Sequence, residues 1–76
     1  MEVFFACHRR YPTVTIIEFG QTIEEAVKAI HAHEEWKNGR YEAKGPWGYK
    51  HCVESYWDTG FDREYPVFEI HKMTGK

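Results

Sequence analysis

The sequence predicts a small α+β domain: a single antiparallel sheet of about four strands with one helix on one face (β-β-α-β-β). Three observations lead to this prediction. The chain has 76 residues, which is the size of one domain. Toward both ends, short β-rich segments place apolar residues at strand spacing. One segment between them repeats its apolar residues at helical spacing instead.

The first two strands are predicted at residues 2–8 and 13–19, joined by a hairpin through residues 9–12. Alternation places two sets of side chains on opposite faces of the first strand: Val3, Phe5 and Cys7 on one, Phe4, Ala6 and His8 on the other. The second strand is rich in β-branched residues. Either Ile16 or Ile17 faces the core, because the two registers differ by one residue and both are consistent with the pattern.

The helix is predicted at about residues 22–37. Thr22 is a suitable N-cap, and Glu25 three residues later completes a capping box. The apolar stripe consists of Ile23, Ala26, Val27 and Ile30. C-terminal to Ile30, polar residues occupy the next positions of the stripe. Asn38-Gly39 provides a helix stop. We expect this helix to cover Phe5, Ile16 or Ile17, Val53 and Phe68.

The last two strands are predicted at residues 49–57 and 65–72, with a turn between them and a short additional strand at residues 40–43 as an alternative to a loop. In the final strand, Phe68 and Ile70 share one face, and Val67 and Glu69 share the other. Pro66 cannot donate to a ladder, so it indicates an edge strand or the first residue of a strand. The last four residues are expected to fray.

Composition excludes several classes of function. A net charge of −2 with neutral histidines argues against a dedicated duplex-DNA binder. The longest apolar run near the start, VFFAC, is too short for a signal peptide or a membrane span, so we expect a soluble, cytoplasmic protein. Two cysteines far apart in the sequence do not form a disulfide framework, so reduced thiols are expected.

The sequence predicts no catalytic, cofactor-binding or metal-binding residues. Cys7-His8 and His51-Cys52 are the candidate zinc ligands, but neighbours on a strand point to opposite faces. Each pair therefore gives one ligand to a face, whereas structural zinc takes about four. The triplet Asp58-Thr59-Gly60 matches that of aspartic proteases, yet Asp and Gly are also what a hairpin turn needs, and the chain is too short for two lobes.

Two adjacent segments of opposite charge are the candidate binding surface. Residues 36–52 carry four cations and one anion, net +3, and residues 53–69 carry five acids and one arginine, net −4. Aromatic residues are interleaved in both, which is typical of protein interfaces and, in the basic segment, of single-stranded nucleic-acid binding. Trp36 and Trp47 could instead cover the core. The candidate partner-binding residues are Glu54, Tyr56, Trp57, Asp58, Phe61, Asp62, Glu64, Trp47, Arg40 and Lys44.

Two resemblances add an expected function. The segment GQTIEEAVKAI, residues 20–30, resembles the helix start of HicB-like antitoxins. The layout of one acidic-start helix against a few antiparallel strands resembles small bacteriophage inhibitors of host machinery, such as anti-CRISPR proteins and RNA-polymerase inhibitors. This resemblance implies a non-enzymatic protein, a monomer or weak homodimer, that binds and inhibits a host protein or ribonucleoprotein complex. Single-stranded nucleic-acid binding through residues 36–52 is the alternative.

Overall fold

A computed structural model of the protein describes residues 2–10 and 12–74. Within them lie β1 (Glu2–Arg10), β2 (Thr13–Gly20), α1 (Ile23–His31), α2 (Glu34–Lys37), β3 (Tyr41–Ala43), β4 (Cys52–Asp58) and β5 (Phe68–Thr74). The strands form one antiparallel sheet in the order β2-β1-β5-β4-β3. The predicted α+β class with a single antiparallel sheet is confirmed, but the sheet has five strands because the short strand after the helices joins its edge.

The last strand, β5, is central in the sheet and pairs with both β1 and β4. The edge position that Pro66 suggested is therefore wrong. Pro66 lies two positions before β5 and is buried, so its missing N–H falls outside the ladder. Met73 and Thr74, which were expected to fray, pair with β1; the final two residues lie outside the described part of the chain.

The helical segment is divided in two, so the prediction of one helix over residues 22–37 is wrong. The N-cap half of the predicted capping box is present, since Thr22 Oγ1 accepts a hydrogen bond from the backbone N–H of Glu25 at 3.2 Å. The Glu25 carboxylate accepts from the Thr22 hydroxyl at 3.3 Å. α1 ends at His31, and the backbone of His33 is extended. The ring nitrogen Nδ1 of His33 accepts a hydrogen bond from the backbone N–H of Glu35 at 3.1 Å, so His33 is the N-cap of α2. This break occurs where the aliphatic stripe ends. Neither helix in the described part is long and apolar enough to cross a membrane.

Apolar side chains fill the face of the sheet that α1 covers, called the helix face here. Its buried residues are Ala6, Ala26, Ile30, Tyr56, Val67, Phe68 and Ile70. Trp36 extends this core, because its ring stacks on Tyr41 at 5.0 Å and meets Phe68 edge-on at 5.9 Å. Trp36 therefore covers the core, which was one of the alternatives left open by the sequence.

The register of β2 depends on a bulge opposite β1. Ala6 pairs with Glu18 and Cys7 with Ile16, so Ile17 is the extra residue of the bulged strand. Ile17 packs against the core, whereas Ile16 is 57% exposed. The bulge thus resolves the choice between the two isoleucines in favour of Ile17.

The opposite face of the sheet, called the open face here, carries no helix within the described residues. Its side chains include Phe5, Cys7 and Arg9 of β1, Ile16 and Phe19 of β2, Cys52 of β4, and Glu69, His71 and Met73 of β5. Phe5 was expected under the helix, and this is wrong: its ring contacts Phe19 at 6.0 Å, and Phe4 packs against the core instead. Part of the open face is covered by residues 44–51.

Candidate functional site

The connection between β4 and β5, residues 59–67, projects from one end of the sheet. It is longer than the hairpin turn predicted there, and it is held at its base. The backbone N–H and the hydroxyl of Thr59 donate to the carbonyl of Arg40 at 2.9 and 3.1 Å. The N–H of Gly60 donates to Asp58 Oδ1 at 2.7 Å. These bonds fix where the β4–β5 loop leaves the sheet.

Phe61 is the most exposed large apolar residue of this loop, at 69%. The Arg63 guanidinium lies over its ring, 5.6 Å from the centroid, and Arg63 Nε lies 4.0 Å from Asp58 Oδ2. Asp62 and Glu64 flank Arg63 and are exposed. The loop therefore presents an aromatic ring surrounded by charges of both signs.

A cleft of about 660 Å³, called the end cleft here, lies beside this loop. Its charged lining includes Arg10, Arg40 and Arg63 together with the carboxylates of Glu35 and Asp58. Phe61 and Tyr65 also line it. The end cleft thus joins β1, the start of β3 and the β4–β5 loop, which are far apart in the sequence.

The ten predicted partner-binding residues fall into three groups by exposure. The exposed ones are Arg40, Lys44, Phe61, Asp62 and Glu64; the partly buried ones are Trp47, Glu54, Trp57 and Asp58; Tyr56 is buried in the core. Glu54 Oε1 accepts from the N–H groups of Gly45 and Ser55, so it has a structural role. The exposed group gathers mainly around the end cleft and its loop.

The basic-aromatic segment, residues 36–52, uses most of its aromatic rings internally. Trp36 and Tyr41 pack in the core, and the Tyr41 hydroxyl donates to the carbonyl of Glu35 at 3.2 Å. Trp47 is partly buried, with the Arg9 guanidinium 5.4 Å from its ring and Trp57 edge-on at 5.8 Å. Tyr49 is the exposed aromatic of this segment. The segment is therefore mainly a cover for both faces of the sheet.

A buried ionic cluster occupies the centre of the open face. Glu69 is 0% exposed, and its Oε2 accepts from Arg9 Nε while its Oε1 lies 3.0 Å from His71 Nε2. Burial alone would raise the pKa of Glu69, but the hydrogen bonds from His71 and Arg9 outweigh it and hold this pKa below its ordinary value. The sequence indicated only which face Glu69 occupies. Its partner Arg9 lies on a different strand, β1, and its partner His71 lies two residues further along β5.

Both cysteines lie beside this cluster. Cys7 is opposite Glu69 across the β1–β5 pair, and Cys52 is opposite His71 across the β4–β5 pair. Both are buried and free, as expected of small buried thiols, but they face away from the helix. Burial, with the nearby charges of Glu69 and Cys52, raises the pKa of the Cys7 thiol to about 11, and burial also raises that of Cys52. Both thiols are protonated at neutral pH, unlike an activated nucleophile.

The histidines next to the cysteines lie elsewhere, as strand alternation predicts. His8 is on the helix face, where Nε2 lies 2.9 Å from Glu35 Oε2, and His51 is exposed.

Comparison of the chain with protein-family models, curated proteins and solved structures gives no match. The functional interpretation therefore depends on the end cleft and the open-face cluster themselves.

Proposed function

We propose that the protein is a non-enzymatic binding protein of the phage-inhibitor type. Its β4–β5 loop and end cleft bind a surface of a host protein or ribonucleoprotein complex and block that surface. The observation that carries this proposal is Phe61, which is 69% exposed next to the anchored start of the loop. Aromatic and arginine side chains supply much of the binding energy at protein interfaces, and here Arg63 holds the ring.

The charges around Phe61 support the same function. Asp62 and Glu64 are exposed on the loop, and Arg10 and Arg40 are exposed beside it. A surface that carries both signs matches a partner in one orientation and repels it in others. The partner surface is accordingly basic where it meets Asp62 and Glu64, and it has a pocket for one aromatic ring.

Single-stranded nucleic acid is less well supported as the ligand. Such binding needs a basic groove with several aromatic rings free to stack on bases. Tyr49 is exposed and Lys44 lies nearby in the sequence, but Trp36 and Tyr41 are used in the core. The end cleft also places Glu35 and Asp58 among its arginines, where they would repel phosphates.

The test is an affinity capture from a bacterial lysate with three forms of the protein as bait. These are the wild type, the loop variant Phe61→Ala/Asp62→Lys/Glu64→Lys, and the control Glu18→Lys/Glu24→Lys, which has the same change in net charge outside the end cleft. Asp58 is left intact because it accepts from Gly60 N–H. The captured protein is then purified and titrated directly.

We expect the loop variant to lose roughly tenfold to hundredfold in affinity, since a hot-spot residue contributes about 2 kcal/mol or more. The control should bind as the wild type does. Equal binding by a folded loop variant would show that the loop is only a solvated surface. Tight wild-type binding to labelled single-stranded RNA that falls steeply with salt would instead support the nucleic-acid function.

A further inference from the structure

The open-face cluster has the composition of a metal site. Cys52 Sγ, a Glu69 carboxylate oxygen and a His71 ring nitrogen all lie within 4.8 Å of one another. We propose that these three side chains bind a divalent cation of the zinc type. This goes beyond the proposed function. It also differs from the sequence prediction of no metal ligands, which considered the cysteines with His8 and His51 and did not include Glu69 or His71.

The backbone places the three ligands without help from a loop. Glu69 and His71 are two residues apart on β5 and therefore share a face. Cys52 is the direct cross-strand partner of His71. Zinc bonds of about 2.0–2.3 Å in tetrahedral geometry put neighbouring ligand atoms roughly 3.3–3.6 Å apart. The 3.0 Å between His71 Nε2 and Glu69 Oε1 is already close to that value. Cys52 Sγ lies within 4.8 Å of both atoms, so it must move closer and give up its hydrogen bond to the Glu54 carbonyl.

The charges of the three ligands fit a divalent ion. On binding, the Cys52 thiol loses its proton to solvent and becomes a thiolate. The ion also displaces the proton that His71 Nε2 donates to Glu69 Oε1, so the imidazole binds through Nε2 and carries its proton on Nδ1. The ion then faces one thiolate and one carboxylate, and it shares the carboxylate with Arg9. Sulfur and imidazole nitrogen favour zinc over magnesium or calcium.

The surroundings of the site fit as well. Arg9 holds Glu69 Oε2 and leaves Oε1 directed at His71, which is the orienting contact that metal ligands usually have. The His71 side chain is 19% exposed, so the ion has a path from solvent. Three protein ligands leave a fourth tetrahedral position for water, as in zinc sites that are not purely structural.

The first test uses the full chain, treated with chelator and dialysed, with the metal ions alone as probes. We expect one Co²⁺ per chain, with thiolate-to-cobalt absorption in the near ultraviolet and visible bands of tetrahedral cobalt that zinc abolishes. Zinc should release at least one proton per ion. It should raise the melting temperature by roughly 10 °C or more when free zinc exceeds Kd a hundredfold, and magnesium should not.

Matched variants then assign the ligands. Cys52→Ser and His71→Asn should lose the cobalt spectrum and the zinc-induced rise in melting temperature. Cys7→Ser, the other buried thiol of the open face, and His51→Asn, the exposed histidine next to Cys52, should keep both. The proposal is overturned if folded wild-type protein gives no thiolate band, or if Cys52→Ser still binds zinc as tightly. The cobalt spectrum and the zinc-induced rise in melting temperature are measured on the wild type. They therefore decide the proposal even if the Cys52→Ser variant does not fold.

Discussion

The two faces of the sheet differ in what they bury, although the same strand supplies the centre of both. On the helix face, β5 places Phe68 and Ile70 in an apolar core beneath α1. On the open face, the residue between them, Glu69, is equally buried but lies in an ionic cluster. Around that cluster, Phe19 is 65% exposed. Adjacent residues of one strand thus belong to an apolar core and to a buried ionic cluster.

This difference indicates which face stabilises a very small domain. A chain of this length buries only roughly 60% of its unfolded surface, so it depends strongly on one well-packed core. A buried ion pair adds little or nothing over an apolar pair of the same volume. The apolar core on the helix face is therefore expected to contribute most of the stability, and the ionic cluster of the open face little.

The largest effect should follow from a change on the helix face. Phe68→Ala removes a fully buried ring and leaves a cavity, so the free energy of unfolding should fall by about 3–5 kcal/mol. Phe19→Ala, the matched change on the rim of the open face, should alter it by less than about 0.5 kcal/mol. Urea titrations of both variants measure this. A large loss for Phe19→Ala that depends on protein concentration would mean that the open face is covered by a second copy.

The ion pair of the open face should give the next largest effect in metal-free protein. Arg9→Met leaves Glu69 buried without its cationic partner, and we expect a loss of about 3 kcal/mol in the free energy of unfolding. Arg9→Met/Glu69→Leu, which removes both charges, should recover most of it. The double-mutant cycle from urea titration measures the coupling. If Arg9→Met alone had no effect, Glu69 would not be held as a buried carboxylate.

A smaller effect should appear in the dependence of the free energy of unfolding on pH. The pKa of Glu69 is lower in the folded than in the unfolded chain, because hydrogen bonds from His71 and Arg9 outweigh the effect of burial. The folded state therefore binds fewer protons, and this contribution to stability is present above the ordinary value of 4.5 and is lost as pH falls toward the folded pKa. The stability difference between wild type and Glu69→Gln should shrink between pH 6 and pH 3, in urea titrations. A constant difference would contradict the assignment.

Much of the helix face could be predicted from the sequence because its signals are local. The capping box at Thr22, the stripe of α1 and the shared face of Phe68 and Ile70 all depend on residues within a few positions of each other. The division of the helix was not predicted, since His33 as an N-cap competes with helix continuation only when Trp36 has a core to pack on.

The open face and the end cleft could not be predicted in the same way. The Glu69 cluster needs Arg9 and Cys52 on the two strands beside β5, and the central place of β5 is a matter of strand order. Pro66 suggested either an edge strand or the first residue of a strand, because its position two residues before the ladder is not visible in the sequence. The β4–β5 loop was predicted as a binding surface from composition, but its anchoring to Arg40 depends on β3 joining the edge of the sheet.

The smallest effect concerns the N-cap of α1, which the sequence predicted at Thr22. Thr22→Ala removes the oxygen that accepts from Glu25 N–H, so one orphan donor of α1 loses its partner. Because such caps contribute about 1 kcal/mol, the free energy of unfolding should fall by that amount, while Thr22→Ser, which keeps the hydroxyl, should stay near wild type. Urea titration measures both. Zinc binding at Cys52 should be unchanged in Thr22→Ala under native conditions, since the cap lies in the helix and the ligands lie on the far face of the sheet. A loss of zinc affinity in that variant would show that the two faces of the sheet are coupled.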